Sequence, residues 1–301
     1  MTDQTTPQAL TDQLVQLLQL TRQGEDSFIG SPQPGGVGRV YGGQVIAQAL
    51  QAAQMDMNDG KIAHSLHAYF LRGGEEGPPI EYHVARDFDG RSFANRRVIA
   101  SQGGRPILNL TASFQHPEDG LEHDAAHMPD VPAPEQLKTA QQWRIEALDK
   151  LDGPNKETLR SLFLRPRPIE MRPVDQLHWM TDVPLPPVSS TWMRVVAPLP
   201  DDPALHRAVI AYLSDYTLLG TSILPHGLSW TRGELSSASL DHALWFHRPA
   251  RADEWLLYST DSPWSGGGRG YNRGQIFDRS GKLIASVTQE GVVRKRKAKA
   301  E

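Results

Sequence analysis

The 301-residue sequence contains no cysteine. This absence excludes a disulfide scaffold, thiolate metal ligands, a cysteine nucleophile and any thiol-linked intermediate. The sequence also lacks an apolar run of about 18 residues, the length that a membrane-spanning helix needs, so we expect no membrane span. Its 31 basic and 35 acidic residues give a formal net charge of −4, which argues against nucleic acid as the main partner because nucleic-acid-binding domains are strongly basic.

Several motifs of catalysis and binding are also missing. No G-x-S-x-G occurs, which excludes the usual serine hydrolase elbow, and no G-x-x-x-x-G-K-[ST] occurs, which excludes a P-loop. His123 and His127 have the spacing of metal ligands on a helix, but no third ligand accompanies them, so we predict no metal and no cofactor. The N-terminus lacks the basic and apolar regions of a secretory signal, so we expect a cytoplasmic protein.

Proline divides the chain near its middle. The composition, with 39% hydrophobic and 22% charged residues, is that of a globular protein, and the length predicts about two domains. Within the proline-rich part, only residues 135–151 have the pattern of a helix. We therefore predict an N-terminal module over residues 1–120, a linker with an embedded helix over 121–170, and a C-terminal module over 171–301.

The two halves repeat one order of elements. The first half gives a helix, a strand and three further strands over residues 43–54, 64–74 and 81–115, and the second half gives the same over 205–220, 239–250 and 254–294. Short matches support the repeat, since Phe70-Leu71-Arg72 corresponds to Phe246-His247-Arg248. An internal repeat of this length indicates two similar modules packed together. The predicted fold class is α+β, with each module made of a helix and a short antiparallel sheet.

One polar residue interrupts the apolar face of the last predicted strand. Alternation along residues 283–293 places Gln289 on the core side, where the repeat gives the first half Ala112. A buried amide without partners costs about 1–3 kcal/mol, so Gln289 must be hydrogen-bonded. Two readings stay open at this point: a structural amide that bridges two strands, or an amide that holds a water or a substrate carbonyl.

Three more polar residues of the second half have both a structural and a functional reading. Asp215 lies at the edge of the apolar stripe of helix 205–220, where a carboxylate is costly unless it is paired, solvated or used as a helix cap. Ser239 stands at the entrance of a predicted strand, where serine is usually a turn residue. His242, inside that strand, is more typical of a satisfied core histidine than of a catalyst.

At these residues the sequence resembles a known family, the acyl-CoA thioesterase II family of double hot-dog enzymes. The resemblance covers nearly the whole chain outside residues 116–165. It rests on motifs from both halves: YGGQVIAQAL, HSLHAYFLRGG, RSFANRRV, LDHALWFHRPA, EWLLYS and GGGRGYNRGQIFDRSGKLIASVTQEGVVR. It implies a fold in which a long helix is wrapped by an antiparallel sheet, twice in one chain, and this agrees with the repeat.

The resemblance also implies a catalytic trio and a reaction. The trio of aspartate, threonine or serine, and glutamine corresponds to Asp215, Ser239 and Gln289, with serine where bacterial members usually have threonine. The implied reaction is hydrolysis of fatty acyl-CoA to free fatty acid and CoA by a water that these side chains hold, with Asp215 as the base. It needs no cofactor, and the family forms dimers or tetramers.

The sequence leaves two alternatives and one assignment open. The alternatives are a non-catalytic acyl-CoA-binding protein and another hot-dog enzyme acting on acyl-CoA, such as an enoyl hydratase. A hydratase is disfavoured because Asp215 has no histidine at the spacing of the hydratase-like D-x-x-x-x-H arrangement. Basic partners for the CoA phosphates are expected among four arginines, Arg72, Arg97, Arg248 and Arg269.

Overall fold

A computed structural model of the chain describes residues 6–33, 38–57, 59–149, 156–175, 181–229 and 232–296. Its helices are α1 (Pro7–Leu18), α2 (Gly42–Gln54), α3 (Ala140–Asp149), α4 (Lys156–Leu164), α5 (Pro203–Ser214) and α6 (Leu218–Thr221). Its strands are β1 (Leu20–Arg22), β2 (Ser27–Gly30), β3 (Ile62–Phe70), β4 (Ile80–Asp89), β5 (Phe93–Gln102), β6 (Arg105–Gln115), β7 (Ile169–Pro173), β8 (Val188–Val195), β9 (Leu235–Ser239), β10 (Asp241–Phe246), β11 (Leu256–Gly266), β12 (Arg269–Phe277) and β13 (Leu283–Lys295).

The strands of both halves form one continuous antiparallel sheet. Its order is β1-β2-β4-β5-β6-β3-β10-β13-β12-β11-β8-β7, with β9 paired to β13 off this path. Read outward from the centre, β3-β6-β5-β4 in the first half corresponds to β10-β13-β12-β11 in the second. The halves join where β3 pairs with β10, and there His67 lies opposite Ala243. The predicted α+β fold of two helix-plus-sheet modules is confirmed, and the pairing of β3 with β10 fuses their sheets.

The two long helices, α2 and α5, pack against each other inside this sheet. Ten of the 13 residues of α2 are buried, as are nine of the 12 residues of α5. A helix covered on nearly all sides is expected to be apolar all round, and small residues let such helices approach closely. Buried alanines lie at 47, 49, 52 and 53 of α2 and at 208 and 211 of α5.

The first turn of α2 packs directly against the last turn of α5, without space for a side chain at position 43. A Cβ at Gly43 would lie 2.6 Å from the Tyr212 carbonyl oxygen and 2.6 Å from the Tyr41 ring. The Tyr41 hydroxyl donates a hydrogen bond to that same carbonyl at 2.8 Å. Because a backbone oxygen cannot move without moving α5, glycine is required at position 43.

We expect Gly43→Ala to destabilise the protein by about 1–3 kcal/mol, the usual cost of overpacking a core. A lower melting temperature in calorimetry or circular dichroism would show it. Gly120→Ala is the matched control, since a Cβ at Gly120 meets no atom within 4 Å. Equal melting temperatures for the two variants would contradict the close approach of the helices.

The linker differs from its prediction in two ways. The predicted helix over 135–151 begins later, as α3 at Ala140, because Thr139 and Gln142 form a capping box: the Gln142 backbone N–H donates to the Thr139 hydroxyl at 3.1 Å, and the Thr139 backbone N–H donates to the Gln142 side-chain oxygen at 2.7 Å. The sequence also missed α4, because the prolines of this part were interpreted as breaking regular structure. Pro166 lies two residues after the end of α4, where proline is tolerated.

Candidate active site

Two of the three predicted site residues are in direct contact. Asp215 directly follows α5, and Gln289 lies fully buried on β13, as its alternation predicted. The Gln289 side-chain nitrogen (Nε2) donates a hydrogen bond of 2.7 Å to the Asp215 carboxylate (Oδ1). The fold thus joins two polar side chains that are 74 residues apart in the sequence.

Asp215 caps the end of a helix that the sequence predicted to continue to residue 220. That prediction was wrong, since α5 ends at Ser214 and hydroxyls of distant tyrosines bind two carbonyls of its last turn. The Tyr41 hydroxyl donates to the Tyr212 carbonyl, and the Tyr258 hydroxyl donates to the Ser214 carbonyl, each at 2.8 Å. The apolar stripe carries on into α6 beyond this break, so periodicity alone could not reveal it.

Burial dominates the electrostatics of Asp215. It raises the pKa of this carboxyl from an ordinary 3.8 to about 6, although hydrogen bonds from the Gln289 amide and the Gly43 backbone N–H oppose the shift. Gly43 lies in the first turn of α2, where backbone N–H groups point out of the helix end and favour negative charge. The first half of the chain therefore contributes a hydrogen-bond donor to the carboxylate of the second half.

Gln289 has a second polar neighbour, His242 on β10. The Gln289 Nε2 lies 3.2 Å from the His242 Nδ1, and the His242 Nε2 lies 2.8 Å from the Ser214 hydroxyl. Burial lowers the pKa of His242 from 6.5 to about 3, so the ring is neutral near pH 7. Within the described residues, the Gln289 side-chain oxygen (Oε1) is buried and accepts no hydrogen bond.

Ser239 shares a cavity with Asp215 without touching it. The sequence placed Ser239 at the start of the strand that contains His242, but it is the last residue of β9, a separate strand, where it lies opposite Gly291 of β13. This prediction was wrong because Leu240 separates β9 from β10 and the two strands pair with different parts of β13. In the described part of the chain, no hydrogen bond joins the Ser239 hydroxyl to Asp215 or Gln289.

The cavity has a volume of about 370 Å³ and is lined by both halves. Residues of the first half that line it include Arg39, Gly42, Val45, Phe70, Arg72 and Ile107, and those of the second half include Asp215, Ser237, Ser239 and Leu240. Asp215 is the one carboxylate among the described lining residues, and the rest of the lining combines apolar side chains with two arginines and two serines. This arrangement provides a base of moderate pKa beside a partly apolar pocket.

One of the four arginines expected to bind phosphate lines the cavity, namely Arg72. The other three are bound to carboxylates elsewhere: Arg97 to Asp87 at 2.9 Å, Arg248 to Asp124 at 2.8 Å and Arg269 to Glu290 at 2.9 Å. Sequence reasoning missed Arg39, the second arginine of the lining. Its position just before the glycine-rich start of α2 is the signal that could have indicated it.

The first half carries apolar side chains at the positions equivalent to Gln289 and His242. The backbone bond from Leu71 N–H to the Ile107 carbonyl, at 2.8 Å, corresponds to that from His247 N–H to the Ile284 carbonyl, also at 2.8 Å. Counting along β6 and β13 from this pair, Ala112 corresponds to Gln289, as the repeat predicted. By the same alignment of β3 with β10, Leu66 takes the place of His242. Both Ala112 and Leu66 are fully buried, so the equivalent position in the first half is apolar.

Comparison with known proteins gives matches along the whole chain. The family model for the N-terminal domain of acyl-CoA thioesterases matches residues 31–115, and the acyl-CoA thioesterase model matches residues 170–292. Human acyl-coenzyme A thioesterase 8 is 37% identical over 92% of this chain and 88% of that protein. Acyl-CoA thioesterase 2 of Haemophilus influenzae is 36% identical over 95% of this chain and 98% of that protein.

Solved structures agree with these matches. The crystal structure of an acyl-CoA thioesterase II from Mycobacterium marinum is 37% identical, has a TM-score of 0.75, and covers 93% of this chain and 98% of that one. A hot-dog protein of unknown function from Alicyclobacillus acidocaldarius, 18% identical with a TM-score of 0.73, shares the fold over 94% of this chain and 98% of that one. The fold is therefore a double hot-dog, and the chain belongs to the acyl-CoA thioesterase family.

Proposed function

We propose that this protein hydrolyses acyl-CoA to a free fatty acid and CoA, using a water activated by Asp215. One observation carries the proposal: a partly buried carboxylate with a pKa of about 6, hydrogen-bonded to Gln289, lines a cavity between the two halves. A general base works best when its pKa lies near the operating pH. The family relationship supplies the substrate class.

In the proposed reaction, the Asp215 carboxylate accepts a proton as the water oxygen attacks the thioester carbonyl carbon. The carbon–sulfur bond of the resulting tetrahedral intermediate then breaks. The sulfur leaves as a thiolate, and because a thiol has a pKa of about 8.5 it needs little help from an acid. The proton held by Asp215 then passes to the thiolate or to solvent. Because water is the nucleophile, no covalent acyl-enzyme forms.

We assign the developing oxyanion to the N-terminal end of α2. Gly42, the first residue of this helix, lines the cavity beside Asp215, and its backbone N–H is the donor that we propose, since the Gly43 N–H binds Asp215 and the Gln44 N–H binds the Tyr41 carbonyl. Preorganised backbone donors of this kind stabilise tetrahedral intermediates. Gln289 and the Ser239 hydroxyl complete the proposed water site, and Arg39 and Arg72 are the proposed partners of the CoA phosphates.

The alternative of a non-catalytic acyl-CoA-binding protein is disfavoured by the contact between Asp215 and Gln289. A carboxylate with a raised pKa beside a cavity, in contact with a glutamine, is more typical of a catalytic base than of a binding site. An enoyl hydratase is disfavoured because Asp215 is the one carboxylate of the described cavity lining.

We propose three further features: a division of the chain at residues 120 and 170, a cytoplasmic location, and assembly as a homodimer or homotetramer. Among the described residues, no helix is long and apolar enough to cross a bilayer.

The direct test is CoA release from a panel of acyl-CoA thioesters, from short to long chains, by the purified protein. A thiol reagent in the assay reports free CoA, and because the chain has no cysteine it contributes no background signal. We expect turnover with at least part of the panel. Tight binding of acyl-CoA without CoA release would favour the non-catalytic alternative.

The pKa of Asp215 predicts the pH dependence of the reaction. Since the base must be ionised to accept a proton, kcat/KM should fall about tenfold per pH unit below pH 6 and level off above it. Because phosphate groups also titrate near pH 6, the measurement should be repeated with an acyl-pantetheine thioester, which has no phosphate. A profile that stays flat from pH 5 to pH 8 with this substrate would argue against Asp215 as the base.

A further inference from the structure

A buried chain of hydrogen bonds leads from Gln289 back into helix α5. The Gln289 Nε2 lies 3.2 Å from the His242 Nδ1, and the His242 Nε2 lies 2.8 Å from the Ser214 hydroxyl oxygen. That hydroxyl in turn donates to the Ala211 carbonyl at 2.9 Å. The side chains of Gln289, His242 and Ser214 are all fully buried, so bulk water does not compete for these bonds.

The direction of each hydrogen bond follows from the Ala211 carbonyl, which is the last group in this series. A carbonyl only accepts, so the Ser214 hydroxyl donates to Ala211, and its oxygen is left to accept from the His242 Nε2–H. A neutral imidazole carries one N–H, so the His242 Nδ1 is an acceptor. The group of Gln289 that faces Nδ1 must therefore be its NH2, whose second hydrogen is donated to Asp215.

With these hydrogen-bond directions, the Gln289 Oε1 is the one atom of the amide group without a partner among the described residues. In the opposite orientation of the amide, Oε1 would face both the lone pair of the His242 Nδ1 and the Asp215 carboxylate, two repulsive contacts in place of two hydrogen bonds. The chain of bonds therefore selects one of the two amide orientations. In the selected orientation, Oε1 is an acceptor with no partner among the described residues.

We propose that His242, held by Ser214, is a positioning residue: it fixes the Gln289 amide so that its nitrogen binds Asp215 and its oxygen accepts a hydrogen bond from the attacking water. The inference rests on the proposed function, because it gives Gln289 its role at the water. His242 acts through Gln289 and does not touch the substrate.

The first half of the chain provides an internal comparison. At the positions equivalent to His242 and Gln289 it has Leu66 and Ala112, both fully buried in the same kind of sheet. The fold therefore packs well at these positions with apolar side chains. An imidazole paired with an amide is not needed for packing, and this favours a role in the site over a purely structural one.

Two substitutions of His242 separate positioning from structure. In His242→Asn, the side-chain oxygen can occupy the place of Nδ1 and accept from Gln289, but the side chain is too short to reach Ser214. In His242→Gln, the longer side chain reaches Ser214 and leaves no acceptor at the place of Nδ1. We expect His242→Gln to lower kcat on the order of tenfold with little change in KM, and His242→Asn to recover most of that loss.

A purely structural role makes a different prediction. Both variants replace a buried ring by a smaller amide, so kcat would follow the melting temperature in both. A parallel loss of kcat in the two variants, or no loss in either, would overturn the proposal.

A second measurement on the unmodified protein keeps the proposal testable if the variants do not fold. Nitrogen-15 NMR of histidine-labelled protein distinguishes the two tautomers of a buried imidazole. We expect His242 to be neutral with its proton on Nε2 between pH 5 and pH 8. A proton on Nδ1, or a doubly protonated ring, would overturn the proposal. This readout does not depend on turnover, whereas absence of CoA release by the unmodified protein would instead count against the proposed function.

Discussion

We expect Asp215→Asn to lower kcat for thioester hydrolysis by about a hundredfold to a thousandfold, the range typical of removing a general base. Asparagine keeps the size of the side chain, and its oxygen can still accept from Gln289, but it cannot take the proton of the attacking water. Steady-state CoA release by the purified variant measures the loss. Turnover near that of the unmodified protein would exclude Asp215 as the base and remove the proposed mechanism.

Stability measurements provide the control for this variant. The Asp215 carboxyl has a higher pKa in the folded state than in the unfolded state, so the folded protein binds this proton more tightly. Its contribution to the free energy of unfolding therefore falls as the pH rises from about 4 to 6. Asparagine does not titrate. The melting temperature of Asp215→Asn, relative to the unmodified protein, should therefore be higher at pH 7.5 than at pH 4.5. A pH-independent difference would contradict the raised pKa.

We expect Gln289→Ala to lower kcat by about tenfold to a thousandfold, the range for losing a positioning donor in an active site. The change removes the hydrogen bond to Asp215 and the acceptor proposed for the water, while Ala112 shows that alanine fits the equivalent position of the first half. A cooperative melt would show that the fold persists. Full activity in Gln289→Ala would mean that the amide only bridges strands, the structural reading of this residue.

His67→Ala is the matched control in the first half. His67 is an exposed residue of β3, opposite Ala243, and its ring contacts the edge of Trp245 at a centroid distance of 5.1 Å. It does not line the cavity that contains Asp215. We expect a smaller loss of kcat than in Asp215→Asn or Gln289→Ala. A larger loss would move the catalytic site to the first half.

The asymmetry between the halves was predicted in part. The repeat indicated that the first half carries Ala112 in place of Gln289, and the structure confirms that the two positions are equivalent and buried. The sequence did not indicate that the first half reaches the carboxylate itself, through the backbone N–H of Gly43.

The sequence by itself determined those features that depend on local pattern. Alternation placed Gln289 on the buried face of β13, and a repeat of helix and strands predicted two similar modules. The resemblance to a family indicated Asp215, Ser239 and Gln289. Each of these inferences depends on short-range periodicity or on a matched motif. Periodicity and motifs are properties of residues that are neighbours along the chain.

The tertiary structure alone decided which distant groups meet. The helix α5 ends at Ser214 with Asp215 as its cap, although the apolar stripe continues, and hydroxyls of Tyr41 and Tyr258 bind the carbonyls of its last turn. The packing of α2 on α5 brings the Gly43 N–H to that carboxylate, and the pairing of β10 with β13 places His242 against Gln289. A hydrogen bond depends on distance and direction between two groups, whereas periodicity reports only which face of an element is buried. The helix end, the raised pKa and the orientation of the amide therefore follow from long-range packing.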